Sequence, residues 1–274
     1  MVLLGKRITV SLPDTVLEDK ESLREKTAKL GFIARACAIF GVDLVEVFRD
    51  PKGRGEERTI RKVLEYLETP QYLRKRLFPL DEELRYAGML PPLRIPSHKA
   101  KIPSDMLSLG EAREGVVNSD GTVDIGLDVA PKLSQRFPSE RRVTVKITSL
   151  KPPIAELVPK DRAGAYWGYA VETKTAEEVL SDPRHGLKIA TSRLGAPVAD
   201  ELPGLRSSLS QAAGVKLIFG SPSRGLFDIV GQDLSRRVDY VVNFFPEQNV
   251  ETVRTEEAVL VTLGVVSLLT AEKA

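Results

Sequence analysis

The sequence predicts an α/β fold with an all-β module set into its middle, and three observations carry this. Apolar strand-like runs, RITVSL, VDLVEVF, GLKIATS, VKLIFGS and VDYVVNFF, alternate with helical patterns at both ends of the chain. Buried strands separated by helices imply a parallel sheet covered on both faces. Between residues 93 and 175 the helical patterns give way to short alternating segments broken by turn residues, which suits a small barrel or sandwich. Length agrees, since 274 residues exceed one average domain, and 42% hydrophobic content supports a sizeable core. Residues 1–92 with 176–274 are therefore expected to form a discontinuous α/β domain, and residues 93–175 an insert.

In chain order, the β-branched run RITVSL (7–12) reads as a strand, and LPDTVLED as a turn leading to a helix start. Residues 22–40 are helical, with Leu23, Leu30, Ile33, Ala34, Cys37 and Ala38 on one face, and Gly41 ends them. VDLVEVF (42–48) is a mostly buried strand, PKGRGEE (51–57) a charged loop, and 58–69 a helix through Ile60, Val63, Leu64 and Leu67. Thr69-Pro70 breaks that helix before a second short one in QYLRKRLF. PPLRIPSHKAKIP reads as a linker, and Asp120-Gly121 as a hairpin turn between GVV and TVDIG. RRVTVKITSL and AYWGYAVETK supply further strands of the insert, with Trp167 in its core. AEEVLSD and LPGLRSSLSQAAG are helices around the strand GLKIATS, and a last helix follows Thr255. That helix, AVLVTLGVVSLL, is apolar on nearly all sides and must be covered all round, which implies a homodimer.

Composition removes several classes of function. The net charge is only +2, so a nucleic-acid partner has to be argued from local clusters. Cys37 is the single cysteine and sits in an apolar helical pattern, which leaves no internal disulfide or thiolate zinc site and makes it a core residue. With only His98 and His185 in the chain, serine and cysteine triads lack a suitable base, and no metal site is expected. No apolar run approaches the ~20 residues of a membrane span, and MVLLGKRITV lacks a signal-peptide core, so a cytoplasmic protein is expected. Neither G-x-G-x-x-G nor G-x-x-x-x-G-K-[ST] occurs.

In open parallel sheets ligands bind beyond the carboxyl ends of the strands. Three such ends stand out here: ATSRLG (190–195), FGSPSRGL (219–226) and FFPEQNVETVRTEEA (244–258). Gly220 and Ser221 lack bulky side chains and would let a ligand approach the backbone. Thr255, Glu256 and Glu257 have a local explanation, threonine as helix N-cap with carboxylates in the first turn. Arg254 does not, because a cation beside the positive end of a helix is unfavourable.

At these residues the chain resembles the SPOUT class of S-adenosylmethionine-dependent RNA methyltransferases, in particular the branch of RNA uridine-N3 methyltransferases. IARACAIFGVD (33–43), YLETPQYLRKRLFP (66–79), REGVV (113–117), AGAYWGYAV (163–171) and TVRTEEAVL (252–260) carry the resemblance. It implies a C-terminal trefoil knot, an OB-like insert that binds RNA, and a homodimer with cofactor sites near its interface. It further implies contacts to S-adenosylmethionine from Thr191, Arg193, Gly220, Ser221, Asn243, Phe244, Phe245, Pro246, Gln248, Asn249, Thr252 and Thr255. Two loops depart from the family pattern: Pro246-Glu247-Gln248-Asn249 replaces Pro-Gly-Gln-Gly, and in the first loop the arginine is shifted to Arg193.

Methyl transfer from a sulfonium is an in-line displacement that depends mainly on positioning. A uracil N3 must also lose a proton, which calls for a base or for a cation that stabilises the anion. Arg254 is the candidate for the cation and Glu257 for the proton acceptor. Arg74, Lys75, Arg76, Arg94, Lys99, Lys101, Arg141 and Arg142 cluster near the linker and insert and are expected to track RNA phosphates. rRNA is favoured over tRNA as substrate. Two alternatives stay open: a non-catalytic RNA-binding dimer in ribosome assembly, and a SPOUT enzyme acting on tRNA.

Overall fold

The computed structural model describes residues 6–183 and 186–270, so His185 lies outside the described residues. The chain forms two compact units. Of the described residues, one contains 68–81 and 92–168; the other contains 6–67, 82–91, 169–183 and 186–270.

The larger unit is built on a six-stranded, all-parallel sheet in the order β11-β9-β10-β1-β2-β8. Its strands are β1 (Arg7–Pro13), β2 (Leu44–Arg49), β8 (Ala170–Thr175), β9 (Leu187–Pro197), β10 (Gly214–Ile218) and β11 (Tyr240–Asn243). The central strands are buried on both faces, as continuous β-branched and apolar runs require. Helix α1 (Leu23–Phe40) starts at Ser22, which forms a reciprocal capping box with Glu25, and stops at Gly41, whose φ of 68° fits glycine. Cys37 is buried in this helix, and burial pushes its thiol up to about 12, so it is inert packing. Helix α2 (Glu57–Glu68) buries Ile60, Val63, Leu64 and Leu67. Helices α4 (Ala176–Ser181), α5 (Val198–Gln211), α6 (Leu226–Val230) and α7 (Thr255–Thr270) complete the unit.

Three local readings change. The helix expected over 202–214 starts at Val198, which places Pro203 in its interior. Thr255 is the first helical residue of α7 rather than its N-cap; Arg254 takes that position, its backbone carbonyl accepting from the N–H groups of Glu257 and Ala258. Residues 170–175, grouped above with the insert, pair in parallel with β2. Alternation alone does not say which sheet a strand joins.

The smaller unit holds α3 (Gln71–Leu77) and a five-stranded sheet in the order β4-β3-β6-β7-β5. Its strands are β3 (Ala112–Val117), β4 (Val123–Asp124), β5 (Lys132–Leu133), β6 (Arg142–Leu150) and β7 (Pro153–Leu157). β3 and β4 form the hairpin expected at Asp120-Gly121, where Gly121 has φ 80°. The N–H of Val123 donates to the carbonyl of Pro131 at 2.9 Å and that of Leu133 to Gly121 at 3.1 Å, so the end strands meet and the sheet is nearly closed. Its interior is filled by Val117, Val123, Ile125, Val145, Ile147 and Ala155.

The unit is also laced by charge. Glu114 is fully buried and accepts from Arg142 Nε at 2.6 Å and Trp167 Nε1 at 2.6 Å. Arg142 also pairs with Glu68 at 2.6 Å, and the two carboxylates hold its guanidinium above the usual arginine range despite burial. Trp167 is core, 5% exposed.

Candidate active site

Two irregularities in the parallel sheet shape the site. β11 pairs with β9 so that Val241 faces Ala190 but Val242 faces Ala196; one step along β11 spans six residues of β9. Residues 191–195 are therefore extruded from the ladder at the strand's middle. Gly195 permits the return to pairing: a Cβ there would lie 2.6 Å from the Val241 carbonyl oxygen and 2.8 Å from the Val242 nitrogen. The second irregularity follows β10, where Ser221 and Arg224 close a tight loop through reciprocal backbone and hydroxyl hydrogen bonds. Gly220 serves that loop, since a Cβ there would meet the Arg224 carbonyl at 2.9 Å. Its small size answers the loop's own backbone rather than a ligand.

These two loops and the segment after β11 enclose a cleft of about 340 Å³. Of the twelve residues expected to contact the cofactor, Thr191, Arg193, Gly220, Ser221, Asn243, Phe244, Phe245, Gln248, Thr252 and Thr255 line it. Pro246 and Asn249 are exposed and do not. Asn249 bonds to the Glu247 carbonyl and is outside the left-handed region, so this loop closes without the glycine geometry of Pro-Gly-Gln-Gly. Asn243 ties the walls together, its amide donating to the Arg193 carbonyl at 3.2 Å while its oxygen accepts from the Phe245 N–H at 2.9 Å. Gln248 folds back onto the carbonyls of Val250 and Glu251.

The second loop is held by a residue the sequence reading passed over. Glu18, beyond the carboxyl end of β1, accepts from the hydroxyls of Ser221 and Ser223 and from the Arg224 guanidinium. Burial alone would raise its carboxyl, but the serine hydrogen bonds and Arg224 together hold it below the usual carboxylate range. Arg224 reaches on to buried Asp50 at 2.7 Å, which also accepts from Thr15 at 3.0 Å. The adjacent Asp19 pairs with buried Lys29 at 2.7 Å, and Lys29 with Glu256 at the start of α7 at 3.2 Å. Glu18 and Asp19 thus brace two walls of the cleft. The one signal for them was an acidic pair just past a strand end in LPDTVLED.

The two residues given catalytic roles do not line the cleft. Glu257 caps α7, its carboxylate accepting from the Arg254 N–H at 3.0 Å, which occupies the proposed proton acceptor. The Arg254 side chain is exposed, and no ion pair holds it among the described residues. Among the basic residues assigned to RNA, Arg74 and Arg142 turn inward, Arg74 Nε donating to the Thr69 carbonyl and Arg142 neutralised by its two glutamates. Arg76 pairs with Glu140 at 2.7 Å and Lys99 with Glu111 at 3.4 Å. Lys75, Arg94, Lys101 and Arg141 remain exposed. Among the described residues no His, Cys, Asp and Glu cluster could hold a metal ion, and no helix is long and apolar enough to cross a membrane.

Over residues 7–266 the sequence matches the family described as "Putative RNA methyltransferase". The chain belongs to that family. It is similar to the 28S rRNA (uridine-N(3))-methyltransferase of Homo sapiens, 32% identical over 94% of this chain and 77% of the human protein. The corresponding Mus musculus enzyme is 33% identical, covering 94% and 75%. An uncharacterized protein of Halobacterium salinarum is 37% identical over 95% of this chain and 98% of its own length. As an RNA methyltransferase the protein must bring a methyl donor and RNA together, and the cleft at the strand ends has the dimensions of a small-molecule site.

Proposed function

We propose that this methyltransferase transfers a methyl group from S-adenosylmethionine to N3 of a uridine in large-subunit ribosomal RNA. The observation that carries the reading is the convergence of the three strand-end loops on one cleft, in a chain whose relatives include the uridine-N3 methyltransferases named above. The cleft fits the donor in kind: its inner wall is apolar (Phe219, Val242, Phe244), its rim is polar (Ser221, Ser223, Glu251), and one buried hydroxyl in its wall lacks a partner. When bound, the donor supplies an electrophilic methyl group.

The chain's own residues would orient that group and exclude water. Asn243 fixes the first and third loops, and Glu18 the second. Arg254 would stabilise the uracil anion or orient RNA, a role supported by its exposure next to the cleft residues Val253 and Thr255. Glu257 is better assigned to capping. The SPOUT class and its knot belong to this reading, supported by the adjacency of β9 and β11 around the extruded segment 191–195. So does an OB-like role for the nearly closed sheet, with Lys75, Arg94, Lys101 and Arg141 meeting phosphates. A homodimer through α7 is favoured by Val261 and Leu268, exposed and seven residues apart on that helix.

The deciding experiment incubates the protein with S-adenosylmethionine and either rRNA or tRNA and maps modified nucleosides by mass spectrometry. 3-Methyluridine in rRNA is expected. Methylation of tRNA alone, or of another base, would overturn the substrate assignment. Arg254→Ala should lower single-turnover methylation while leaving donor affinity unchanged.

A further inference from the structure

We infer that the hydroxyl of Thr262 binds the nucleoside end of the methyl donor; the inference rests on the donor reading of the cleft. Thr255, Ala258 and Thr262 are three and four residues apart on α7, so they share one helical face, and all three line the cleft. Thr262 is 0% exposed, and its Oγ1 has no hydrogen-bond partner among the described residues.

A helical threonine ordinarily returns its hydroxyl to the carbonyl four residues back. This chain shows the habit twice: Thr270 donates to the Val266 carbonyl at 2.9 Å in the same helix, and Thr27 to the Leu23 carbonyl at 2.7 Å. Thr262 does not. An unpaired buried hydroxyl costs free energy, so its retention in a cleft wall points to a partner that arrives with the ligand.

Burial identifies which end of the donor that is. Of the residues lining the cleft, Phe219, Val242 and Phe244 are buried as Thr262 is, whereas Arg193, Ser223, Asp228 and Glu251 are exposed. A zwitterionic amino-acid group is strongly hydrated and belongs at the polar mouth. A planar purine is apolar on its faces and carries donors and acceptors only at its edge. An apolar recess with one hydroxyl, able to donate or accept, matches that pattern.

Thr262→Val keeps the shape and removes only the hydroxyl; Thr262→Ser restores it. Calorimetry with S-adenosylhomocysteine should show the valine variant binding about three- to tenfold more weakly, with serine recovering most of the loss. The valine variant without ligand should melt no lower than the wild type, because the group removed was unpaired. Repeating the titration with 5′-methylthioadenosine, which lacks the amino-acid end, should give the same loss. Wild-type affinity in the valine variant, or a loss confined to S-adenosylhomocysteine, overturns the assignment of Thr262. Failure of the wild-type chain to bind either compound overturns the donor reading itself, and this inference with it.

Discussion

Glu18→Gln tests whether the second loop is held from outside the cleft. The glutamate accepts from two serine hydroxyls, from the Ser223 N–H at 3.3 Å and from the Arg224 guanidinium at 3.4 Å. Hydrogen bonds to a charged group contribute about 1.5–3 kcal/mol, against about 0.5–1.5 for neutral ones. Glutamine keeps the length, removes the charge and turns an N–H₂ toward groups that are themselves donors. The Glu18 side chain is 26% exposed, so solvent screening reduces the effect, and about 1–2 kcal/mol is expected in all. Since Ser221 and Ser223 line the cleft, that energy should appear in donor binding, as an affinity for S-adenosylhomocysteine about 5–30-fold weaker. Because the carboxyl is held below its ordinary 4.5, the wild-type affinity should show no Glu18 titration between about pH 5.5 and 8. An affinity within twofold of wild type would refute the bracing role.

Four further substitutions separate stability from binding. Gly195→Ala forces a Cβ against the Val241 backbone and should cost about 1–3 kcal/mol, read as a lower urea midpoint together with weakened donor binding. Glu46→Ala should cost about 3–5 kcal/mol in chemical denaturation, because it strands buried Lys216, which pairs with Glu46 at 3.1 Å. Burial alone would raise the Glu46 carboxyl, but Lys174, Ser11 and Lys216 hold it below its ordinary 4.5; its stabilisation is therefore complete above pH 4.5 and lost as pH falls through the folded value, so acid unfolding of Glu46→Ala should lack that component. Arg142→Ala leaves buried Glu114 without its cation and Glu68 with Lys160 alone, and should destabilise the smaller unit by about 3 kcal/mol, whereas exposed Arg141→Ala should weaken RNA binding and leave the melting temperature unchanged.

Much of the architecture was legible in local pattern. The strands near 7–12, 44–48, 214–218 and 240–243 and the helices over 23–40 and 57–68 follow from apolar period and caps, which act within a few residues. The three loop ends were legible because open parallel sheets place ligands beyond their strands' carboxyl ends. The roles of individual charges were not. Arg142 reads as a surface cation in ERRVTV, yet its partner Glu68 lies 74 residues away. Glu257 reads first as a cap-region charge and second as a base, and it contacts the Arg254 N–H as a cap does.

Hydrophobic period and turn chemistry, then, were enough to specify a parallel sheet, a β module and polar strand ends, since these are short-range properties of the chain. Which loops meet, which carboxylate holds them and which hydroxyl is left unpaired came from packing. Glu18 and Ser221 stand 203 residues apart, and their contact exists because β1 and β10 lie side by side in the sheet. A local window holds no record of such a neighbour, so the bracing of the cleft became visible once the strands were in register.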